Sequence, residues 1–306
     1  MKLARDTRGQ AIVIMVVMMA ALLGFGALVL DVGSWFRADR ATQATADAAA
    51  LAGAQALPGD PSGATGSAVT YATKNGGGAS SADVTITSSI DANDTISVHV
   101  HRKADSFFAK IFGLGQVDVG SNATARTDGI SAAKYVAPIG VPESHEDLSG
   151  GGCPCFGDPT TLELGKAGVP GAFHLINLDA SSGGTTGSST LGDWITSGFN
   201  AYLGLGGYFS DTGAKWNSSG VQDALGGRVG TDLLFPVYDS IDGVGSNASY
   251  HVIGWVGFHL TGFEADGVNN GRLFGWFTRV IWEGIQVKTA GEGGPDFGVR
   301  TVQLVG

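Results

Sequence analysis

Residues 8–54 read RGQAIVIMVVMMAALLGFGALVLDVGSWFRADRATQATADAAALAGA, and how this run is read decides the architecture. Ala11 to Leu30 is free of charge. Twenty helical residues at about 1.5 Å each span about 30 Å, the thickness of a bilayer's hydrocarbon core. The run is longer than the apolar region of an ordinary secretory signal, and no small-x-small cleavage site follows Leu30. Instead Asp31, Trp35, Arg37, Asp39 and Arg40 carry a helical pattern onward into alanine-rich sequence that stops at Leu57-Pro58-Gly59-Asp60-Pro61. Proline removes a donor and fixes the backbone there. Lys2, Arg5 and Arg8, opposed only by Asp6, place the N-terminus in the cytoplasm and the rest of the chain outside.

Composition narrows the class of the exported part. Of 18 basic and 28 acidic residues, removing Lys2, Arg5, Arg8 and Asp6 leaves 15 and 27, a net charge of −12, the wrong sign for a nucleic-acid partner. Fifty glycines with only nine prolines and ordinary apolar content indicate turn-rich β structure rather than disorder.

Four features quoted above, Arg8-Gly9-Gln10-Ala11, the apolar span, Asp31-Val32-Gly33 and the run Ala46-Asp47-Ala48-Ala49-Ala50-Leu51-Ala52-Gly53-Ala54, resemble in order and spacing the N-terminal module of TadE/TadG-like Flp pilus-assembly proteins. The resemblance implies a structural or assembly role in a Flp-type pilus or related surface apparatus, without cofactor or catalysis. Its implied partners are the lipid bilayer and other pilus or envelope proteins, met through the span and the helix beyond it, with a homo-oligomer as a further option. Processed pseudopilins of this kind carry Glu at the fifth position after the cleaved glycine. Counting from Gly9 that position is Ile14, which favours the permanently anchored, TadG-like kind. Ala20, Gly24 and Ala27 are small enough to let a second membrane helix approach.

The expected fold is α+β: cytoplasmic head 1–10, transmembrane helix 11–30, Ala-rich helical stalk 31–61, small β-β-α-β domain 62–130, linker 131–160 and β-rich exported domain 161–306. Val84 and Ile86, then Ile96, Val98 and Val100, alternate with polar residues across the turn Asp91-Ala92-Asn93-Asp94, which predicts a hairpin with one wet face. Phe107, Phe108, Ile111 and Phe112 have helical spacing. Leu233 to Ile241, Tyr250 to Phe263 and Leu273 to Ile285, the last holding Trp276 and Trp282, predict strands apolar on both faces that need cover on both. Helices are expected at Leu191 to Tyr202 and Val221 to Arg228, with Ser218 and Ser219 as N-cap candidates. The strand sets after Pro61 predict an exported fragment that folds without the anchor.

Candidate chemistry is sparse. Cys153-Pro154-Cys155 admits a loop disulfide, free or intermolecular thiols, or one edge of a metal site. Asp179, Ser181 and Ser182 follow a predicted strand as in a metal-ion-dependent adhesion site, but Gly183 stands where another hydroxyl is wanted; a surface adhesin is the alternative reading. His99 and His101 share a strand face without an evident third ligand. Ser131 and Lys134, with Ser210-Asp211-Thr212 and Lys288-Thr289-Ala290, match the spacing of penicillin-binding motifs only where proline soon follows. His145-Glu146 lacks the second histidine of a zinc protease.

Overall fold

Alanine spacing organises the first part of the computed structural model, which describes residues 10–149, 154–165, 172–179, 186–211, 213–265, 271–287 and 295–305. Helix α1, Gln10–Ala54, is continuous through Asp31. On its second half Ala46, Ala49, Ala50 and Ala54 repeat at three and four residues and are fully buried. Helix α2, Pro61–Lys74, lays Ala64, Ala68 and Ala72 against the same core. It starts where Pro61 takes the first helical turn and the Asp60 carboxylate accepts from the Gly63 N–H at 2.8 Å. Gly53 sits where the two helices meet. A Cβ there would stand 2.6 Å from Ile96 Cδ1 and 3.0 Å from the Ala64 carbonyl, so the contact needs a residue without one.

Three antiparallel strands cover these helices: β1, Val84–Thr87, β2, Thr95–Asp105, and β3, Gln116–Asp128. Ile96, Val98 and Val100 of β2 point into the alanine core, while His99 and His101 point outward on the wet face. The buried Asp94 carboxylate holds the β1–β2 turn by accepting from the N–H groups of Ser89, Ile90 and Asp91 at 2.7–2.8 Å. These residues form one compact unit, Met1–Thr127 together with Val302–Gly306; Val302 packs on its core and the Val305 N–H donates to the Thr124 carbonyl at 2.8 Å. From Ala46 onward the alanine-rich helix is part of a packed core, with α2 and the sheet as the partners its composition needs. A fragment starting at Pro61 lacks Ala46, Ala49, Ala50, Ala54 and Leu57 of that core, contrary to the expectation that it folds alone.

The second unit, Asp128–Thr301, is strand-rich. In chain order it contains β4, Ile130–Ala133, β5, Ile139–Pro142, the short α3, Glu146–Ser149, β6, Thr160–Leu164, β7, Ala172–Leu175, α4, Ser188–Ser197, β8, Leu203–Gly204, and β9, Gly206–Phe209. After these come α5, Ser219–Arg228, β10, Thr231–Asp242, β11, Ser249–Ala265, β12, Gly271–Thr278, β13, Val280–Ile281, β14, Ile285–Val287, and β15, Val299–Leu304, whose first residues pair with β13. The pairing sequence β10-β5-β7-β6-β12-β11 returns to β10, closing a six-stranded ring of mixed parallel and antiparallel neighbours, with β9 added beside β11. Closure gives β10, β11 and β12 a neighbour on both sides over part of their length.

Strand alternation then separates two cores. Leu233, Phe235 and Val237 of β10 and Val256, Phe258 and Leu260 of β11 join one cluster with Leu162, Leu273 and Phe277; Leu234, Tyr238, Tyr250, Val252 and Trp255 join another. Both faces of β10 and β11 are covered, as their sequences require. β12 differs: Leu273 and Phe277 are buried, but Trp276 is only half-buried and stacks on His259 with ring centres 4.4 Å apart. The stretch 131–160, expected to be a linker, instead supplies β4, β5 and α3, with Val136, Ala137, Ile139 and Val141 buried. Pro138 interrupts these four apolar positions and Pro142 ends them, so they lack the run length that marks a strand in sequence.

Candidate functional site

From Ile12 to Leu30 no large apolar side chain of α1 is covered, and exposures run from 56% to 72%. Among the described residues this is the one helix long and apolar enough to cross a membrane. Its charge-free surface ends at Asp31, and there the chain builds its most specific polar contact.

The tip of the β2–β3 hairpin, Ser106 to Gly115, tightens into a single turn of 3-10 helix at Ala109–Phe112 and closes through Gly113 at φ +86°, a conformation that suits glycine. Such a turn leaves its first N–H groups without partners in the turn itself. Asp31 supplies them: one carboxylate oxygen accepts from Phe107 N–H at 2.6 Å, the other from Ala109 N–H at 2.5 Å, and both lie 3.1 Å from Phe108 N–H. The contact is an N-cap made by a residue distant in sequence, and an ionised acceptor makes it stronger than a neutral one. Neighbouring side chains repeat the tie. Ser34 Oγ lies 2.8 Å from the Asp31 carbonyl and 3.2 Å from that of Asp105, and Trp35 Nε1–H donates to Ser106 Oγ at 3.2 Å. Asp31 is only 2% exposed. The one local signal for this contact in the sequence is the place of Asp31, the first acid after the charge-free run. The expected helix at Phe107 to Phe112 is a turn, because its donors are taken by Asp31.

Among the described residues of the second unit, those that the sequence singles out do not assemble. Ser131 lies on β4 and donates to the carbonyls of Gln286 and Val287 at 3.2 Å, while Lys134 lies 4.5 Å above the Tyr202 ring, so the pair does not open a helix. Asp211 is buried and ion-paired with Lys215 at 2.6 Å, and Lys288, Thr289 and Ala290 lie outside the described residues. Asp179 is exposed, and Ser181 and Ser182 lie outside the described residues. Cys155 is disulfide-bonded; Cys153 also lies outside them. On the first unit's sheet, His99 bonds Asn122 Oδ1 at 2.8 Å and stacks beside His101. No cluster of three metal-ligating side chains occurs among the described residues. Ser218 holds the N-cap position of α5 by backbone alone, its hydroxyl donating to the Lys215 carbonyl.

Burial disfavours the charged form of two histidines. Burial lowers the pKa of His174, which sits among Tyr238 and Tyr250 and lines a cavity of about 320 Å3 with Ser210 and Asp211. Burial also lowers that of His145, against the opposing charges of Asp147 and Glu146, and its Nδ1 accepts from the Asp147 N–H at 3.2 Å.

No curated protein and no solved structure matches the chain. Residues 9–56 match the family model described as putative Flp pilus-assembly TadE/G-like, so the segment that carries the bare apolar helix, Asp31 and the alanine core is similar to that family's module.

Proposed function

We propose that the chain is a membrane-anchored structural or assembly component of a Flp-type pilus or related cell-surface apparatus, acting without catalysis. Residues 11–30 cross the membrane once, the basic head stays in the cytoplasm, and both folded units stand outside. The observation that carries this reading is the uncovered apolar surface from Ile12 to Leu30 on a helix whose continuation is the core of a folded unit. An anchor built into a domain core transmits force and position directly to that domain. Gly24 and Gly26 have nothing within 4 Å of their would-be Cβ, which leaves room for a second helix from the apparatus or from another copy. Cys153 and Cys155, the two cysteines of the chain, close a small loop disulfide in the oxidising exterior.

Crosslinking the intact protein in its native envelope tests the assignment: attachment to pilus-assembly proteins through the span supports it, and exclusive attachment to unrelated envelope enzymes overturns it. A reporter fused after Gly306 is expected to be active outside the membrane only. The mature chain is expected to retain Lys2, Leu3 and Ala4; an N-terminus at Gln10 by mass spectrometry would instead place the protein with the processed pseudopilins.

A further inference from the structure

The hairpin tip presents an apolar surface that the first unit does not use. Phe107, Ile111, Phe112 and Leu114 are 68%, 79%, 85% and 56% exposed, and Phe108 is 41% exposed. Five large apolar side chains within one ten-residue tip make a patch of the kind soluble surfaces rarely leave open. The tip is also fixed in place. Asp31, which grips it through three N–H groups, is the residue directly after the charge-free run, so the tip is held at the level where the helix leaves hydrocarbon. Val29 and Leu30 of that run line a groove of about 420 Å3 together with Phe107, Phe108 and Arg37.

We infer that the tip of the β2–β3 hairpin is a second membrane contact, inserting Phe107, Ile111, Phe112 and Leu114 into the headgroup and acyl-chain boundary of the bilayer that α1 crosses. This rests on the span reading. The occupant follows from continuity: the groove is bounded on one side by span residues that face lipid, and on the other by the tip. Charges fall where such an insertion needs them. Lys110, exposed at the centre of the tip, and Arg37, exposed on the groove, have stems long enough to bring their cations to lipid phosphates while their carbons stay near apolar surface. Trp35, bonded to the tip, is of the type enriched at this depth. Apolar faces of this kind settle about 5–10 Å into the boundary. One rigid helix leaves a domain free to turn about the membrane normal and to tilt; a second contact removes much of that freedom.

Photocrosslinking of the full chain in vesicles of phosphatidylethanolamine and phosphatidylglycerol tests the inference. A benzophenone amino acid is placed, one position at a time, in place of Leu22 in the span, Ile111 or Phe112 at the tip, or Ala92 at the far end of β2, whose eleven residues reach roughly 33 Å. Because Ile111 and Phe112 are exposed, replacing either removes little internal packing. Lipid adducts at Leu22, Ile111 and Phe112 but not at Ala92 are expected, with tip yields at least several-fold above Ala92. Adducts at Leu22 with none at Ile111 or Phe112 overturn the docked tip and leave the span standing. Equal yields at Ala92 and Phe112 overturn it as well. Absence of adducts at Leu22 removes the span reading and the docked tip with it.

Discussion

The first unit closes its core with alanine and the second closes its own with aromatic rings, and each therefore fails in a different way. In the first, Ala46, Ala49, Ala50, Ala64 and Ala68 bring two helices and a sheet to backbone distance, so there is no room for added atoms. In the second, Phe235, Phe258 and Phe277 pack face and edge with ring centres 5.2–5.5 Å apart inside the strand ring, so volume must not be lost. Side-chain area secures one unit and close backbone approach the other.

The largest effect expected is loss of one unit with survival of the other. A fragment of residues 61–306 should lose amide protection throughout β1 to β3 and keep it in β10 and β11, whereas residues 31–306 should protect both; hydrogen exchange read by mass spectrometry decides this, and protection of β2 in the shorter fragment would show that the helix is dispensable. Next, Phe258→Ala should destabilise the second unit by about 3–5 kcal/mol in denaturant titration, the cost of a large cavity among rings. Ala50→Leu should destabilise the first by about 1–3 kcal/mol through overpacking, while the same enlargement at exposed Ala92 should be nearly neutral. A smaller pH effect sharpens the contrast further. Asp94 is buried, which opposes its ionisation, but the N–H of Asp91, the hydroxyl of Thr95 and the N–H groups of Ile90 and Ser89 outweigh this and hold its carboxyl below the ordinary value. Its contribution to the first unit is therefore complete above about pH 4, the unfolded value, and is lost as pH falls through the folded one. Asp94→Asn should flatten that acid limb in thermal melts of the first unit and leave the acid limb of the second unchanged. The smallest change expected is for Arg272→Gln. Its bridges to Glu163 at 3.3 Å and Glu264 at 3.5 Å are half-exposed, and removing them should shift the second unit by no more than about 0.5 kcal/mol.

What the sequence made legible follows from the range of each interaction. The long apolar helix, its alanine continuation and the β1–β2 hairpin depend on period and turn chemistry within a few residues, and they appear where pattern places them. Phe107 to Phe112 has helical spacing too, yet its backbone donors bind Asp31, an acceptor set by a contact far along the chain that no local pattern encodes. Trp276 lies in an apolar run and was expected to need full cover; its ring instead caps His259, which bonds Asp232 at 2.7 Å, because strand alternation turns it away from Phe277. The parallel pairing of β5 with β10, which completes the ring, is equally non-local. The adhesion-site reading of Asp179, Ser181 and Ser182 failed to gain support for a simpler reason: an exposed aspartate is all of it that the described residues contain.

The return of Val302–Gly306 to the first unit makes the second unit an insertion within it. A ribosome therefore completes all of Asp128–Thr301 between the strand that needs a neighbour at Thr124 and the residues that supply it. Through that interval the emerging chain holds an unfinished sheet while the inserted ring is free to form, since it needs nothing made later than Thr301. Order of maturation thus runs opposite to order of synthesis: the portion that carries the apolar helix starts first and finishes last.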